Sequence, residues 1–393
     1  MDMTDRTSVE LFTGAGGLAL GLEQTGWHHL ALVERNTHAC NTIRLNQALG
    51  HPLTTGWNLR DADVRDIRYA ELAGEACMVA GGPPCQPFSL GGKHGAHRDD
   101  RNMFPEAVRA VRELRPACFV FENVKGLLRQ SFATYFGYIV MQLRYPELGR
   151  RPEEAWEEHL ARLERRHTGR DCRDLSYKVV FRLLDAADYG VPQHRHRVFL
   201  VGFRSDLEQE WSFPGTTHSL DNLLWSQWVS GEYWDEHEVS SRHRPAPNPR
   251  YTKRVERLRN EFTLMPPPGF RYRTVRDALR GLPDPRQPEA SCFPNHLFRD
   301  GARPYPGHTG SVLDEPSKAV KAGDHGVPGG ENMIALPDGT YRYYTVRESA
   351  RVQTFPDDYQ FSGSWTEAMR QIGNAVPMAL AEVVGRSIAR QVS

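Results

Sequence analysis

The sequence predicts an α/β protein: a mostly parallel sheet covered by helices on both faces, joined to a smaller, loop-rich domain. Three observations predict it. From Ser8 the stretch SVELFTGAGGLALGLEQTGWHHLALVERN reads as a short apolar strand, a glycine-rich turn, an amphipathic helix and a second apolar strand closing at Glu34. Strand-like runs recur at ACMVAGG (76–82), ACFVFENV (117–124) and RVFLVGF (197–203), with helix-like stretches such as FPEAVRAVRELRP between them. Beyond about residue 212 this alternation fades, prolines multiply, and tryptophans stand at 211, 225, 228 and 234.

The 393 residues are ample for more than one domain, and the composition (39% hydrophobic, 25% charged) is that of an ordinary globular enzyme. No segment approaches the roughly 18 uninterrupted apolar residues of a membrane span. MDMTDRTSVELF carries no leader-like pattern, so a cytoplasmic location is expected. Lys and Arg total 49, as do Asp and Glu, so any basic surface must be local. The six cysteines, at 40, 77, 85, 118, 172 and 292, lack the spacing of a disulfide framework or a zinc site and fit a reducing compartment. His94, His97, His194 and His196 have no set of partner ligands, so no metal is expected.

In chain order, the first turn carries Gly14, Gly16, Gly17 and Gly21, a spacing unlike that of a pyrophosphate-binding turn. Tight packing alone is one explanation; a ligand without phosphates is the other. Glu34, about 20 residues on at the end of the second strand, suits both hydroxyls of a ribose, which points to an adenosine-containing ligand. PEEAWEEHLARLERRH (152–167) reads as a surface helix inserted without chemistry of its own, with apolar Trp156, Leu160 and Leu163 on one stripe. EAMRQIGNAVPMALAEVVGRSIARQVS returns to a helical pattern. The expected boundaries are therefore a first domain over 1–212, completed by 371–393, and a second over 213–370.

Chemistry gathers at the strand ends. GGPPCQPFS holds Cys85 among glycines and prolines, where it can neither finish a helix nor join a ladder, so the thiol is presented rather than packed. Glu122 ends the next apolar run; partial desolvation there would raise its pKa toward that of a proton donor. QHRHRV alternates Gln193, Arg195 and Arg197, which predicts both arginines on one side, facing one ligand or one acid.

FTGAGG, GGPPCQPFS, ENV, QHRHR, TVRESARVQTFPD and RQIGNAVP, in this order from about residue 8 to 385, resemble the DNA (cytosine-5)-methyltransferases. The resemblance implies a Rossmann-like S-adenosylmethionine-dependent methyltransferase domain, a smaller target-recognition domain and duplex DNA as partner. It implies that Phe12 lies near the adenine, Glu34 binds the ribose, and Asp63, with Asp66 as rival, contacts the adenine edge. Gly14, Gly16, Gly17, Pro84, Met103 and Asn374 would complete the cofactor pocket. Cys85 becomes the nucleophile, Glu122 the donor to ring nitrogen 3, and Arg195 and Arg197 the residues that hold the cytosine.

These residue types suit the reaction. Carbon 5 of cytosine is a poor nucleophile until a thiolate adds at carbon 6, and a donor at ring nitrogen 3 neutralises the charge that develops. The base must also leave the duplex. Seven basic residues against Glu256 in RHRPAPNPRYTKRVERLR (242–259), and four more in RYRTVRDALR (271–280), are candidate phosphate contacts, a solvated basic face being the other reading. Arg347 and Arg351 are expected to organise the second domain. A companion restriction endonuclease is a candidate partner; a tRNA cytosine methyltransferase and an inactive DNA-binding module of the same fold are the competing readings.

Overall fold

The computed structural model describes residues 6–84, 102–169, 174–263, 265–322 and 332–392. Cys85, and with it most of GGPPCQPFS, lies outside the described residues, as do Cys172 and His94 and His97.

The first half builds one seven-stranded sheet from β1 (Thr7–Leu11), β2 (His28–Glu34), β3 (Leu59–Asp61), β4 (Met78–Gly81), β5 (Cys118–Val124), β6 (Tyr177–Asp185) and β7 (His196–Arg204). Its order is β3-β2-β1-β4-β5-β7-β6. The first five strands pair in parallel, whereas β7 runs antiparallel to β5. The chain steps outward on one side of β1 and then crosses to β4 on its other side, so the order reverses between β1 and β4. In open α/β sheets ligands bind beyond the carboxyl ends of the strands at such a reversal. The helices are α1 (Gly17–Glu23), α2 (Thr37–Ala48), α3 (Phe104–Leu114), α4 (Ala133–Arg144) and α5 (Trp156–Thr168). Short apolar runs become central strands because both faces are covered: Val9, Leu11, Val79, Phe119 and Phe121 are buried with Val108 and Val111 of α3 and Ile139 of α4. α3 starts where Pro105 supplies a fixed φ in its first turn and ends on Arg115 in the left-handed region.

By contact density the chain divides into two compact units. The first comprises 1–184, 196–214 and 381–393; the second comprises 185–195 and 215–380. The second unit is made of short elements. β8 (His218–Ser219) pairs with β9 (Phe270–Arg271), and β10 (Ser311–Val312), β11 (Met333–Ala335) and β12 (Tyr341–Tyr343) form a three-stranded sheet. Around them lie α6 (Leu220–Trp228), α7 (Glu232–Glu236), α8 (Thr252–Glu261), α9 (Val275–Leu279), α10 (Val346–Val352) and α11 (Trp365–Asn374). α12 (Met378–Ala389) follows, and from Ala381 onward it belongs to the first unit, where Trp27 Nε1 donates to the Gly385 carbonyl. Two of the tryptophans that mark this region in the sequence are core residues: Trp234 packs with Leu223, Tyr233 and Tyr272, and Trp225 with Leu224, Val255 and Leu258. Capping boxes at Thr274/Asp277 and Thr345/Glu348 start α9 and α10.

No helix among the described residues is long and apolar enough to cross a membrane.

Candidate active site

The glycine turn leaves β1 through three residues in the left-handed region: Phe12 (φ 57°), Gly14 (φ 58°) and Gly16 (φ 86°). For a bulky residue such as Phe12 that conformation costs energy and persists only where the surroundings impose it. Glu34, at the end of the neighbouring strand, helps impose it. Its Oε2 accepts the Gly14 N–H at 2.7 Å, and its Oε1 accepts from the amides of Arg35 and Asn36 at 2.9 and 2.7 Å. One carboxylate thus joins the turn after β1 to the end of β2. Beneath the turn lies a residue the motif reading passes over: Glu10 is buried, and burial pushes its carboxyl well above the ordinary range against an opposing hydrogen bond from the backbone of Ala19.

Asp63 follows β3 and is held by Arg65, which donates to it from its guanidinium and its backbone, and by Arg35 at 2.9 Å. The Arg65 hydrogen bond is the main reason its carboxyl sits well below the usual range. Asp66, the rival, is exposed on the adjacent single turn.

On β5 and β7 two of the candidate catalytic residues, Glu122 and Arg197, meet. Antiparallel pairing sets Glu122 opposite Phe199 and Val124 opposite Arg197. Glu122 and Arg197 are therefore diagonal neighbours on one face of the sheet, and Arg197 Nε lies 2.6 Å from Glu122 Oε1 with both side chains largely buried. Burial pulls the guanidinium down from its ordinary value, and the charge of Glu122 counters it. A methyl group on Gly82 would come 3.3 Å from Glu122 Oε2, so the residues leading to Cys85 run beside the carboxylate. Asn123, on the opposite face of β5, donates to the Pro83 carbonyl at 2.9 Å and clamps the strand that feeds the cysteine. The signal for Asn123 is in the sequence: strand period sends the middle residue of ENV away from Glu122.

The family model for C-5 cytosine-specific DNA methylase matches residues 6–146 and 165–390. The chain belongs to this family. It is 31% identical to the Type II methyltransferase M.PspPI of Psychrobacter sp. over 98% of this chain and 79% of that protein. It is 32% identical to the Type II methyltransferase M.Eco47II of Escherichia coli over 97% of this chain and 78% of that protein. Its fold is similar to that of the S. pombe Dnmt2 methyltransferase, with a TM-score of 0.53 at 17% identity over 98% of each chain.

Within this cytosine-5 DNA methylase, the remaining expected site residues fall in several places. Pro84 is exposed and accepts the Met103 N–H at 3.1 Å. Met103 itself is buried and packs into the core of the first unit. Asn374 ends α11 in the second unit and is exposed.

Among the described residues the two arginines of QHRHR bind different groups. β7 begins at His196, so Arg195 precedes the strand and groups with the second unit. There it is buried, donating to the carbonyls of Val320 at 2.9 Å, Gly373 at 2.5 Å and Ala375 at 3.0 Å. Gln193 beside it accepts from the Val320 amide and donates to Gln353. The expectation that Arg195 and Arg197 face one acid is not met among their described partners: alternation holds inside a strand, and the strand starts between them. Arg195 joins residues 193–195, 320 and 373–375 of one unit, which is why α11 groups with that unit.

The methylase's basic strip is largely paired. Asp221 takes both Arg254 and, at 2.9 Å, Arg257; Glu315 takes Arg250; Asp235 takes Arg244. Arg271 and Arg276 bind Asp277 and Asp314 at 2.7 and 2.6 Å. Arg242, Lys253, Arg259 and Arg273 make no ion pair among the described residues. Arg347 is fully buried and donates to the carbonyls of Pro294, Pro356 and Tyr359, and Arg351 binds Asp357 and the Arg280 carbonyl, so both organise their surroundings. Among the described residues no group of His, Cys, Asp and Glu is placed to hold a metal ion.

Proposed function

We propose that this DNA (cytosine-5)-methyltransferase modifies one cytosine context in duplex DNA, with Cys85 as nucleophile and the second unit as target-recognition domain. The observation that carries the reading is the convergence of strand ends: the glycine turn after β1, Glu34 after β2, the Pro83–Pro84 segment after β4 and Glu122 on β5 lie along the edge where the sheet order reverses.

An adenosine-containing cofactor fits the turn. Among the described residues, the Thr13 hydroxyl is buried there without a hydrogen-bond partner, and nothing stands within 4 Å of the position a side chain on Gly14 would take. Glu34 would hold the ribose, Phe12 would lie by the adenine with Asp63 or Asp66 at its edge, and Gly14, Gly16 and Gly17 would line the approach, with Pro84, Met103 and Asn374 as further candidates. S-adenosylmethionine, when bound, supplies an electrophilic methyl group.

The chain's own residues do the rest. Cys85 adds as thiolate to carbon 6 of an extruded cytosine, forming a carbon–sulfur bond. Glu122 donates a hydrogen bond and a proton to ring nitrogen 3, so that negative charge does not build up on the ring as the sulfur attacks. Arg197, 2.6 Å from Glu122, orients that carboxyl group and steadies its anion once the proton has moved. Arg195 joins the second unit's segments through the carbonyls of Val320, Gly373 and Ala375. After the methyl group arrives at carbon 5, water takes the carbon 5 proton, the carbon–sulfur bond breaks to release Cys85 as thiolate, and ring nitrogen 3 returns its proton to Glu122, which restores the aromatic ring.

Extrusion costs a few kcal/mol, which contacts to the duplex must offset. Arg242, Lys253, Arg259 and Arg273 are the candidate phosphate contacts. Resemblance to Type II methyltransferases supports a companion restriction endonuclease of matching sequence specificity.

The test is to incubate the enzyme and S-adenosylmethionine with unmethylated genomic DNA and with tRNA, then sequence both after bisulfite treatment. Protection in one recurring DNA context, lost in Cys85→Ser, is expected. Protection of tRNA alone, or turnover surviving in Cys85→Ser, would overturn the reading.

A further inference from the structure

Residues 147–164, which the family model leaves unmatched, contain the start of α5, and they pack on Tyr135, which binds Asn102. α5 is fixed on α4 by a buried relay. Tyr138 Oη lies 2.8 Å from His159 Nδ1, and His159 Nε2 lies 2.6 Å from the Leu148 carbonyl. Burial holds the imidazole below its ordinary pKa and so neutral; Nε2–H donates to the carbonyl, and Nδ1 accepts from the tyrosine. Arg162 and Glu154 pair at 2.8 Å across the start of the helix. Thus anchored, α5 sets the Trp156 ring 5.4 Å from Tyr135 and 5.5 Å from Tyr138, centroid to centroid.

Tyr135 carries the connection onward. Its hydroxyl lies 2.5 Å from Asn102 Nδ2, and Asn102 Oδ1 accepts the Phe104 N–H at the start of α3. Met103 N donates to the Pro84 carbonyl at 3.1 Å. Pro84 and Met103 therefore meet, Tyr135 of α4 holds the neighbouring Asn102, and Trp156 of the inserted helix packs on the Tyr135 ring.

We propose that Tyr135, backed by Trp156 of the insertion, is a positioning residue for the nucleophile: by holding Asn102 beside Met103, whose amide binds the Pro84 carbonyl, it fixes the residue that precedes Cys85. The proposal rests on the reading of Cys85 given above. A nucleophile must sit within a near-attack distance of its target, and small misplacements cost rate rather than ground-state affinity.

The experiment measures steady-state turnover on duplex DNA, cofactor affinity by calorimetry and melting temperature for Tyr135→Phe, Asn102→Ala, the double variant and Trp156→Leu. One lost hydrogen bond corresponds to a decrease in kcat of about three- to tenfold in Tyr135→Phe, with KM for DNA and cofactor affinity unchanged. Asn102→Ala, which also removes the acceptor of the Phe104 N–H, is expected to lose at least as much, the double variant to be no slower than Asn102→Ala, and Trp156→Leu to fall in the same direction. Parental kcat in Tyr135→Phe, or losses that simply add in the double variant, would overturn the proposal; a bond with a merely structural role would lower the melting temperature and leave kcat alone. Cys85→Ser run alongside separates the two readings. Turnover persisting in it removes the assignment of Cys85, whereas its loss together with a parental Tyr135→Phe removes the role of Tyr135.

Discussion

Arg197 reaches Glu122 across two antiparallel strands, Nε to Oε1 at 2.6 Å, because the register of β5 on β7 makes them diagonal neighbours on one face. The pair combines an acid with the cation that orients it. Glu122→Gln keeps the shape and removes the transferable proton, so kcat is expected to fall by about a hundredfold or more, with cofactor binding retained. Arg197→Ala removes the cation 2.6 Å from the buried Glu122 and is expected to cost about 3 kcal/mol of stability as well as activity. Denaturant titration beside kinetics distinguishes the two variants.

Glu34 binds three backbone amides, one of them in the glycine turn. Glu34→Ala releases Gly14 and is expected to weaken S-adenosylmethionine by about tenfold or more, since hydrogen bonds to a charged group contribute about 1.5–3 kcal/mol each. Isothermal titration calorimetry measures it, and Glu34→Gln should lie between the parent and the alanine variant.

Asp221 neutralises Arg254 and Arg257. If the second unit lies against phosphates, Asp221→Asn frees a positive charge, and the dependence of log affinity on log salt should steepen by about one. Fluorescence anisotropy with a labelled duplex over a salt series gives the slope; an unchanged slope would place α8 away from the DNA.

His29 sits beneath α1, with Ser8 Oγ 2.8 Å from Nδ1 and the Ala19 carbonyl 3.0 Å from Nε2, and burial pushes its pKa down to about 4. Between the ordinary value near 6.5 and about 4 the unfolded chain binds the proton that the folded chain refuses. Stability from this site is therefore whole above pH ~6.5 and declines as pH falls toward 4, by on the order of 3 kcal/mol. Melting temperatures at pH 7 and 5 should differ more for the parent than for His29→Gln.

Much of this site is legible along the chain. The glycine turn, Glu34, the proline-bounded approach to Cys85 and Glu122 all stand where apolar runs end, and in a parallel sheet those ends share one edge. The expected strand over 76–82 is shorter, Met78–Gly81, and the charged helix over 152–167 forms as Trp156–Thr168. Other features were not legible. The basic count over 242–259 is correct, yet it contains no trace of Asp221, Glu315 or Asp235, which lie elsewhere in the chain and pair with its arginines. Arg195 and Arg197 look equivalent in QHRHR, and nothing in the hydrophobic pattern marks that a strand begins between them.

The sequence by itself determined the α/β class, the edge at which the chemistry gathers and the family, because periodicity, turn residues and motif order are local properties that a chain carries wherever it folds. Only the tertiary structure decided which charges neutralise one another, that Arg195 serves backbone carbonyls while Arg197 serves Glu122, and that Trp156 of the inserted helix packs on Tyr135, which binds Asn102. Those outcomes depend on register and on partners tens to hundreds of residues apart, and such proximity exists only once the sheet and its helices have packed.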